Sequence, residues 1–189
     1  MAYRQGIDKG AVLQAALDIA NEQGIEQVTL AAIAAKLRVK TPSLYNHIKG
    51  LPDLRAELAV LGLTRIREAM TEAVIGKSGD DALLAVGLAY VAFARKNPGL
   101  YDSIVSGADL SNPALAEAGD QSLSFLLRIL DSYKFGEEEA LHVVRGLRSM
   151  MHGFASLEMK QGFQMEMDRD VSLRHLLSTY LRGLHTPGN

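Results

Sequence analysis

Between Glu26 and Asp53 the chain carries no acid, yet that span holds four cations: Lys36, Arg38, Lys40 and Lys49. Among the last of them stand Thr41, Pro42, Ser43, Tyr45, Asn46 and His47. None of these is arranged to break a covalent bond. Cations, hydroxyls and an amide make a surface that donates hydrogen bonds, and an aromatic ring adds contact area. The chemistry on offer is recognition, and a basic patch of this kind suffices to meet phosphate if the chain dimerises and the patch acts twice. Catalytic chemistry finds little support. There is no Gly-x-Ser-x-Gly, no phosphate loop and no glycine-rich fingerprint after a strand. His142, His152 and His175 could be imagined around a metal. The ten residues between the first two do not set them on adjacent helical turns, so no metal is expected. No cofactor is implied. With no cysteine there is no disulfide and no thiolate site, which fits a reducing cytoplasm.

The elements that must carry these residues are helices. Leu30, Ile33, Ala34 and Leu37 recur at one-face spacing and predict a short helix opening at Thr29. Thr41 as N-cap and Pro42 at the first helical position predict a second, running to Ile48, with Leu44 and Ile48 on one face. Val39 in the turn is expected to be buried between the two. This is a helix-turn-helix pattern. Before it, a helix is expected from Lys9 to Gln23, capped by Asp8 and stopped by Gly24.

The first 55 residues resemble the DNA-binding domain of the TetR family of bacterial repressors. The matching residues are Ala15-Ala16, Gly24, Thr29, Ile33-Ala34, Leu37, Val39, Leu44-Tyr45, His47 and Leu54. The resemblance implies that the third helix enters the major groove of a double-stranded, palindromic operator. It implies phosphate contacts from Thr29, Tyr45 and Lys49, and places Lys40, Thr41, Pro42, Ser43 and Asn46 nearest the base edges. Thr41 and Pro42 suit a thymine methyl, and Lys40 can donate to guanine. Tyr45 as a packed core aromatic, and His47 as a residue that caps or packs the helix end, stand as alternatives. Two positions depart from the family pattern. Arg38 stands in the turn where glycine is common, and Leu51 where a phosphate-binding lysine is common.

The overall charge of −2 hides an asymmetry. Nine Lys and Arg face six acids up to Arg67, and 11 face 16 beyond it. No run of 18 apolar residues and no apolar leader occurs, so a cytoplasmic protein without membrane partners is expected. Strand patterns are nearly absent, and the fold class expected is all-α with about nine helices. Residues 1–50 are expected to form the helix-turn-helix domain and 51–189 a larger effector-binding and dimerisation domain. The remaining helices are expected over about Leu51 to Ile75, Asp81 to Lys96, Leu100 to Ser106, Pro113 to Phe135, Glu137 to Gln161 and Val171 to Leu184. A loop is expected from Gly107 to Asn112, and a frayed tail after Leu184.

The second half presents two patterns. Gly146, Ser149, Gly153 and Ser156 form a stripe of small residues, which lets another helix approach. That helix belongs either to the same chain or to a second copy. Leu173, Leu177, Tyr180 and Leu184 on the last helix suggest the second copy and an isologous homodimer. Asn97-Pro98-Gly99-Leu100-Tyr101, His152-Gly153 and Gly162-Phe163 resemble a TetR subgroup named for a Trp-His-Gly signature, though the Trp is missing here. An unknown small-molecule effector is expected in a cavity lined by Tyr90, Phe93, Tyr101, Phe125, Met151, His152 and Phe154, each of which is also plausible as ordinary core. The function expected is a ligand-responsive transcriptional regulator, a repressor released from its operator by a small molecule. The alternatives are a helical small-molecule-binding protein, an enzyme without DNA binding, and a helical adaptor.

Overall fold

The computed structural model describes residues 7–106 and 112–185. All regular structure among them is helical, as expected for the all-α class. The α-helices are α1 (Lys9–Gln23), α2 (Leu30–Leu37), α3 (Leu51–Ala73), α4 (Gly79–Lys96), α5 (Pro98–Val105), α6 (Pro113–Leu130), α7 (Glu137–Met159) and α8 (Arg169–Gly183). Short 3-10 helices lie at Ile25–Gln27, Thr41–Asn46 and Asp131–Tyr133. Each of the nine expected helices has a counterpart, the third of them as the 3-10 segment Thr41–Asn46. Residues 107–111 of the expected loop and 186–189 of the expected tail lie outside the described residues. Among those described, no helix is long and apolar enough to cross a membrane.

The chain divides into two compact units, Met1–Leu63 with Asn97–Ala118, and Thr64–Lys96 with Gly119–Asn189. In the first, α1 begins and ends as its sequence dictates. The Asp8 carboxylate accepts the Ala11 N–H at 2.7 Å, and Gly24 leaves the helix at φ 94°. Val12, Ala16, Ile33, Leu44, Leu54 and Leu58 close the core, each at least 97% buried. This unit does not stop at residue 50. The expected end of α4 at Lys96 is observed, and α5 then opens at Pro98, two residues before the expected Leu100, where the missing N–H of proline costs nothing. Gly99 then lies directly on α1. A Cβ at Gly99 would stand 2.5 Å from the Ala20 carbonyl carbon and 2.6 Å from the Asn21 nitrogen. The Gly99 N–H donates to the Asn21 side-chain oxygen at 2.9 Å. On α3, Gly62 makes a similar approach to Leu100 and Ile104 of α5. Two contacts at backbone distance bind α5 to the helices that carry the recognition segment.

In the second unit, α4 packs against both α7 and α8, which explains why its sequence is apolar nearly all round. Val86, Val91 and Leu83 are fully buried. Gly87 admits Leu177 of α8, whose methyl carbon would lie 2.5 Å from a Cβ there. Arg95 ties the three helices together, with Nε 2.8 Å from Glu158 and Nη1 2.6 Å from Asp170. The Tyr133 hydroxyl donates to Asp80. Burial first, and then that carboxylate, push its pKa up, so it stays protonated at any ordinary pH. The α6 helix ends at Leu130, short of the expected Phe135, because a 3-10 turn follows and Lys134 adopts a left-handed conformation at φ 61°.

Candidate nucleic-acid interface

The recognition segment is anchored by two residues. Leu44 is fully buried and Ile48 nearly so. Their anchoring leaves the intervening side chains outside. Tyr45 is 57% exposed and Pro42, Asn46, Lys40 and Lys49 are exposed, while Thr41, Ser43 and His47 are half-buried. An exposed Tyr45 does not fit the alternative of a packed core aromatic. His47 ends the segment, its N–H donating to the Leu44 carbonyl at 2.9 Å. The expected capping differs in detail. Lys40 is the N-cap residue, Thr41 begins the helix, and no side-chain cap bond forms. A 3-10 turn closes three residues on, so its side chains stack in a narrower column than an α-helix would give.

The preceding turn presents the segment. Thr29 caps α2, its hydroxyl oxygen accepting the Ala32 N–H at 3.1 Å. That hydroxyl still has its own proton to donate, and a phosphate oxygen is a suitable acceptor. At the other end Val39 N–H donates to the Ala34 carbonyl at 2.9 Å and Arg38 N–H to the Ala35 carbonyl at 3.1 Å. This bond pair is a Schellman motif, and it holds Arg38 left-handed at φ 56° and ψ 44°. Val39, expected to be buried, is half-buried. A side chain in the left-handed region costs about 1 kcal/mol. Arg38→Gly is accordingly expected to raise unfolding stability by about 1 kcal/mol in urea melts while weakening binding to anions. An equal or lower midpoint in urea would show that the turn stores no such strain.

The four cations of the patch are not equivalent. Lys36 reaches back to α1, 3.2 Å from Glu22 and 3.6 Å from Asp18. Fourteen residues separate Lys36 from Glu22, so no sequence pattern announces the pair. Arg38, Lys40 and Lys49 have no ion pair among the described residues. Asp53 accepts the Lys49 backbone N–H at 3.5 Å, which fixes Lys49 beside the start of α3. Leu51 is half-buried. Arg55 lies one turn further along α3. Its guanidinium turns to the Ile25 carbonyl, 3.5 Å away, just ahead of α2.

The residues expected at the other two sites are scattered differently. Leu173 and Leu177 are 1% and 0% exposed, covered by their own chain, so they offer no surface to a second copy. Gly146 also has an internal reason: a Cβ there would lie 2.5 Å from the Tyr180 hydroxyl oxygen. Tyr180 donates to the Val143 carbonyl at 3.3 Å, and Leu184 is half-buried. Those contacts are internal to one chain. Ser149, Gly153 and Ser156 differ. Ser149 is exposed, Ser156 half-buried, and among the described residues nothing lies within 4 Å of a Cβ at Gly153. Leu157 extends their face and is 51% exposed.

Of the seven residues expected around a ligand, Phe93, Tyr101, Phe125, Met151 and Phe154 are buried. Tyr90 and His152 are half-buried, and neither lacks a partner. Tyr101 belongs to the first unit and the other six to the second. A hollow of about 220 Å³ lies at the α7–α8 junction, lined by Phe154, Phe163, Met165, Met167 and Arg169 among others. Phe154 is the one expected residue that reaches it.

Comparison with known proteins accords with this geometry. Residues 12–50 match the family described as bacterial regulatory proteins, tetR family, and residues 83–180 match the tetracyclin repressor-like, C-terminal domain. The uncharacterized HTH-type transcriptional regulator YobS of Bacillus subtilis is 39% identical over 97% of this chain and 96% of its own length. A protein of unknown function from Rhodococcus sp. RHA1 has the same fold, with a TM-score of 0.84 at 22% identity, over 98% of this chain and 100% of that one. A TetR variant from Acinetobacter baumannii AYE, solved in complex with minocycline, superposes with a TM-score of 0.72 at 22% identity, over 94% of this chain and 96% of its own.

Proposed function

The chain belongs to the TetR family of transcriptional regulators, and from that premise we propose that it is a homodimeric repressor that binds a palindromic operator and leaves it when a small molecule binds. The observation that carries DNA binding is the exposed row Lys40, Pro42, Tyr45, Asn46 and Lys49 on a segment pinned by Leu44 and Ile48. Thr29, Tyr45 and Lys49 hold backbone phosphates, which fix the register. Lys40, Thr41, Pro42, Ser43 and Asn46 meet base edges, and His47 closes the segment. Two such segments, about 34 Å apart, engage successive turns of one face of the duplex.

The second copy docks on the α7 face of Ser149, Gly153 and Ser156. A glycine inside an α-helix costs about 0.8–1 kcal/mol relative to alanine, and the packing of the described residues gives Gly153 no reason to be one. Close approach of a helix from another copy supplies the reason. The effector enters the second unit, where Tyr90 and His152 supply polar groups among Phe93, Phe125, Met151 and Phe154. A protein of similar fold is known in complex with minocycline, which supports a small-molecule ligand for this chain. The effector acts by preferring a conformer in which the recognition segments are wrongly spaced. A coupling of about 1–3 kcal/mol weakens operator binding 5- to 150-fold.

Fluorescence anisotropy on duplex DNA from upstream of the chain's own gene tests the reading. Binding is expected to weaken steeply with salt. Tyr45→Ala and Lys49→Ala are each expected to reduce affinity about tenfold, Lys49→Ala with a shallower salt dependence as well. No binding at any salt, or binding indifferent to both substitutions, overturns it.

A further inference from the structure

Arg55 differs from the other described cations of the first unit. Its Nε is buried and has no hydrogen-bond partner. Its Nη2 makes one long bond, 3.5 Å, to the Ile25 carbonyl. That oxygen already accepts the Val28 N–H at 3.2 Å. Among the described residues no carboxylate pairs with Arg55. The two nearest acids in sequence are engaged elsewhere: Glu57 lies 2.6 Å from Lys9, and Asp53 accepts the Lys49 N–H. A guanidinium carries five N–H donors in a planar fork and is always charged. Leaving such a group half-buried with one weak acceptor is costly unless an anion completes it.

Its position says which anion. The Ile25–Gln27 turn leads directly to Thr29, the cap of α2. The first N–H groups of α2 have no partner inside the helix and favour negative charge. Glu26 on that turn is exposed and makes no ion pair with Arg55 among the described residues. A guanidinium with an unpartnered Nε and one long bond, set against the turn ahead of a helix whose cap satisfies the Ala32 N–H alone among its first three, suits one phosphodiester oxygen.

We propose that Arg55 is a phosphate anchor: on DNA its guanidinium binds a backbone phosphate beside the N-terminus of α2, while its bond to Ile25 steadies the turn that presents Thr29. The proposal rests on the DNA-binding reading above, and the experiment separates the two. Anisotropy titrations of the full-length chain are run over a series of salt concentrations with wild type, Arg55→Gln and Arg55→Lys. Arg55→Gln is expected to lose about tenfold in affinity, and its salt slope to fall by about 2, one phosphate in each half-site. Arg55→Lys keeps the slope. A second measurement uses duplexes carrying a neutral methylphosphonate at single backbone positions. One position is expected to weaken the wild type and Arg55→Lys about tenfold and to leave Arg55→Gln unaffected. If Arg55→Gln unfolds, that position must still weaken the wild type and Arg55→Lys together. An unchanged slope with weakened binding makes Arg55 a strut only and overturns the proposal. So does the absence of any such coupled position. A wild type that binds no DNA at all sinks the underlying reading and the anchor with it.

Discussion

Gly99→Ala is expected to be among the most damaging single-atom additions in the chain. The new Cβ would meet backbone, Ala20 at 2.5 Å and Asn21 at 2.6 Å, and backbone cannot swing aside as a side chain can. Either α5 moves off α1 or both helices distort. Moving off also breaks the 2.9 Å bond from Gly99 N–H to Asn21. Overpacking against a fixed neighbour costs about 1–3 kcal/mol, and this case belongs at the upper end. Against a total stability of about 5–15 kcal/mol that is a large share. At about 2–4 °C per kcal/mol for a chain of this size, Tm should fall by about 6–12 °C in calorimetry. DNA affinity should fall with it, because α1 holds the recognition segment through α2. Asn21→Ala, which removes the bond and adds no clash, should cost only about 1 kcal/mol. If Gly99→Ala melts with the wild type, α5 does not lie on α1 as described.

Gly153→Leu should act in the opposite way, leaving the protomer sound and dismantling the assembly. Among the described residues, nothing lies within 4 Å of a Cβ at that position. Removing a mid-helix glycine even favours α7 by about 0.8 kcal/mol. In sedimentation the chain should change from dimer to monomer at micromolar concentration, with its helical circular dichroism intact. Losing the second recognition segment forfeits the gain from linking two sites, about 10²–10⁴ in apparent affinity, so operator binding should vanish at working concentrations. Gly146→Leu is the contrasting control. It strikes the chain's own Tyr180 and should lower Tm whatever the oligomeric state. A Gly153→Leu protein that stays dimeric and binds DNA normally would place the subunit contact elsewhere.

Local signals decided much of this molecule before any packing was considered. Asp8 and Gly24 bound α1 in the sequence as they do in the structure, because an N-cap carboxylate and a left-handed glycine act within four residues. Thr29 opens α2 for the same reason, and the spacing of Leu44 and Ile48 set which side of the recognition segment is buried. The same spacing left Tyr45 outside. Helical periodicity alone gave the all-α class, since it needs no knowledge of partners.

What lies between elements was not legible, because distance along the chain carries no sign of it. The Lys36 pair with Glu22 and Asp18 takes one cation out of a patch that the sequence counted as four. Asn97-Pro98-Gly99 reads as a break. Only the approach of α1 shows why a residue without a side chain must stand there. Gly146 and Gly153 belong to one stripe in the sequence, yet Tyr180 fills the space beside the first and none of the described residues fills the space beside the second. The apolar face of α8 looked uncovered because α4, which packs against it and takes Leu177 at Gly87, stands far earlier in the chain. Capping, turn and periodicity signals act over a few residues and are written in order along the chain. Which helix covers which face is set by packing between distant segments, and packing is decided only when the whole chain has folded.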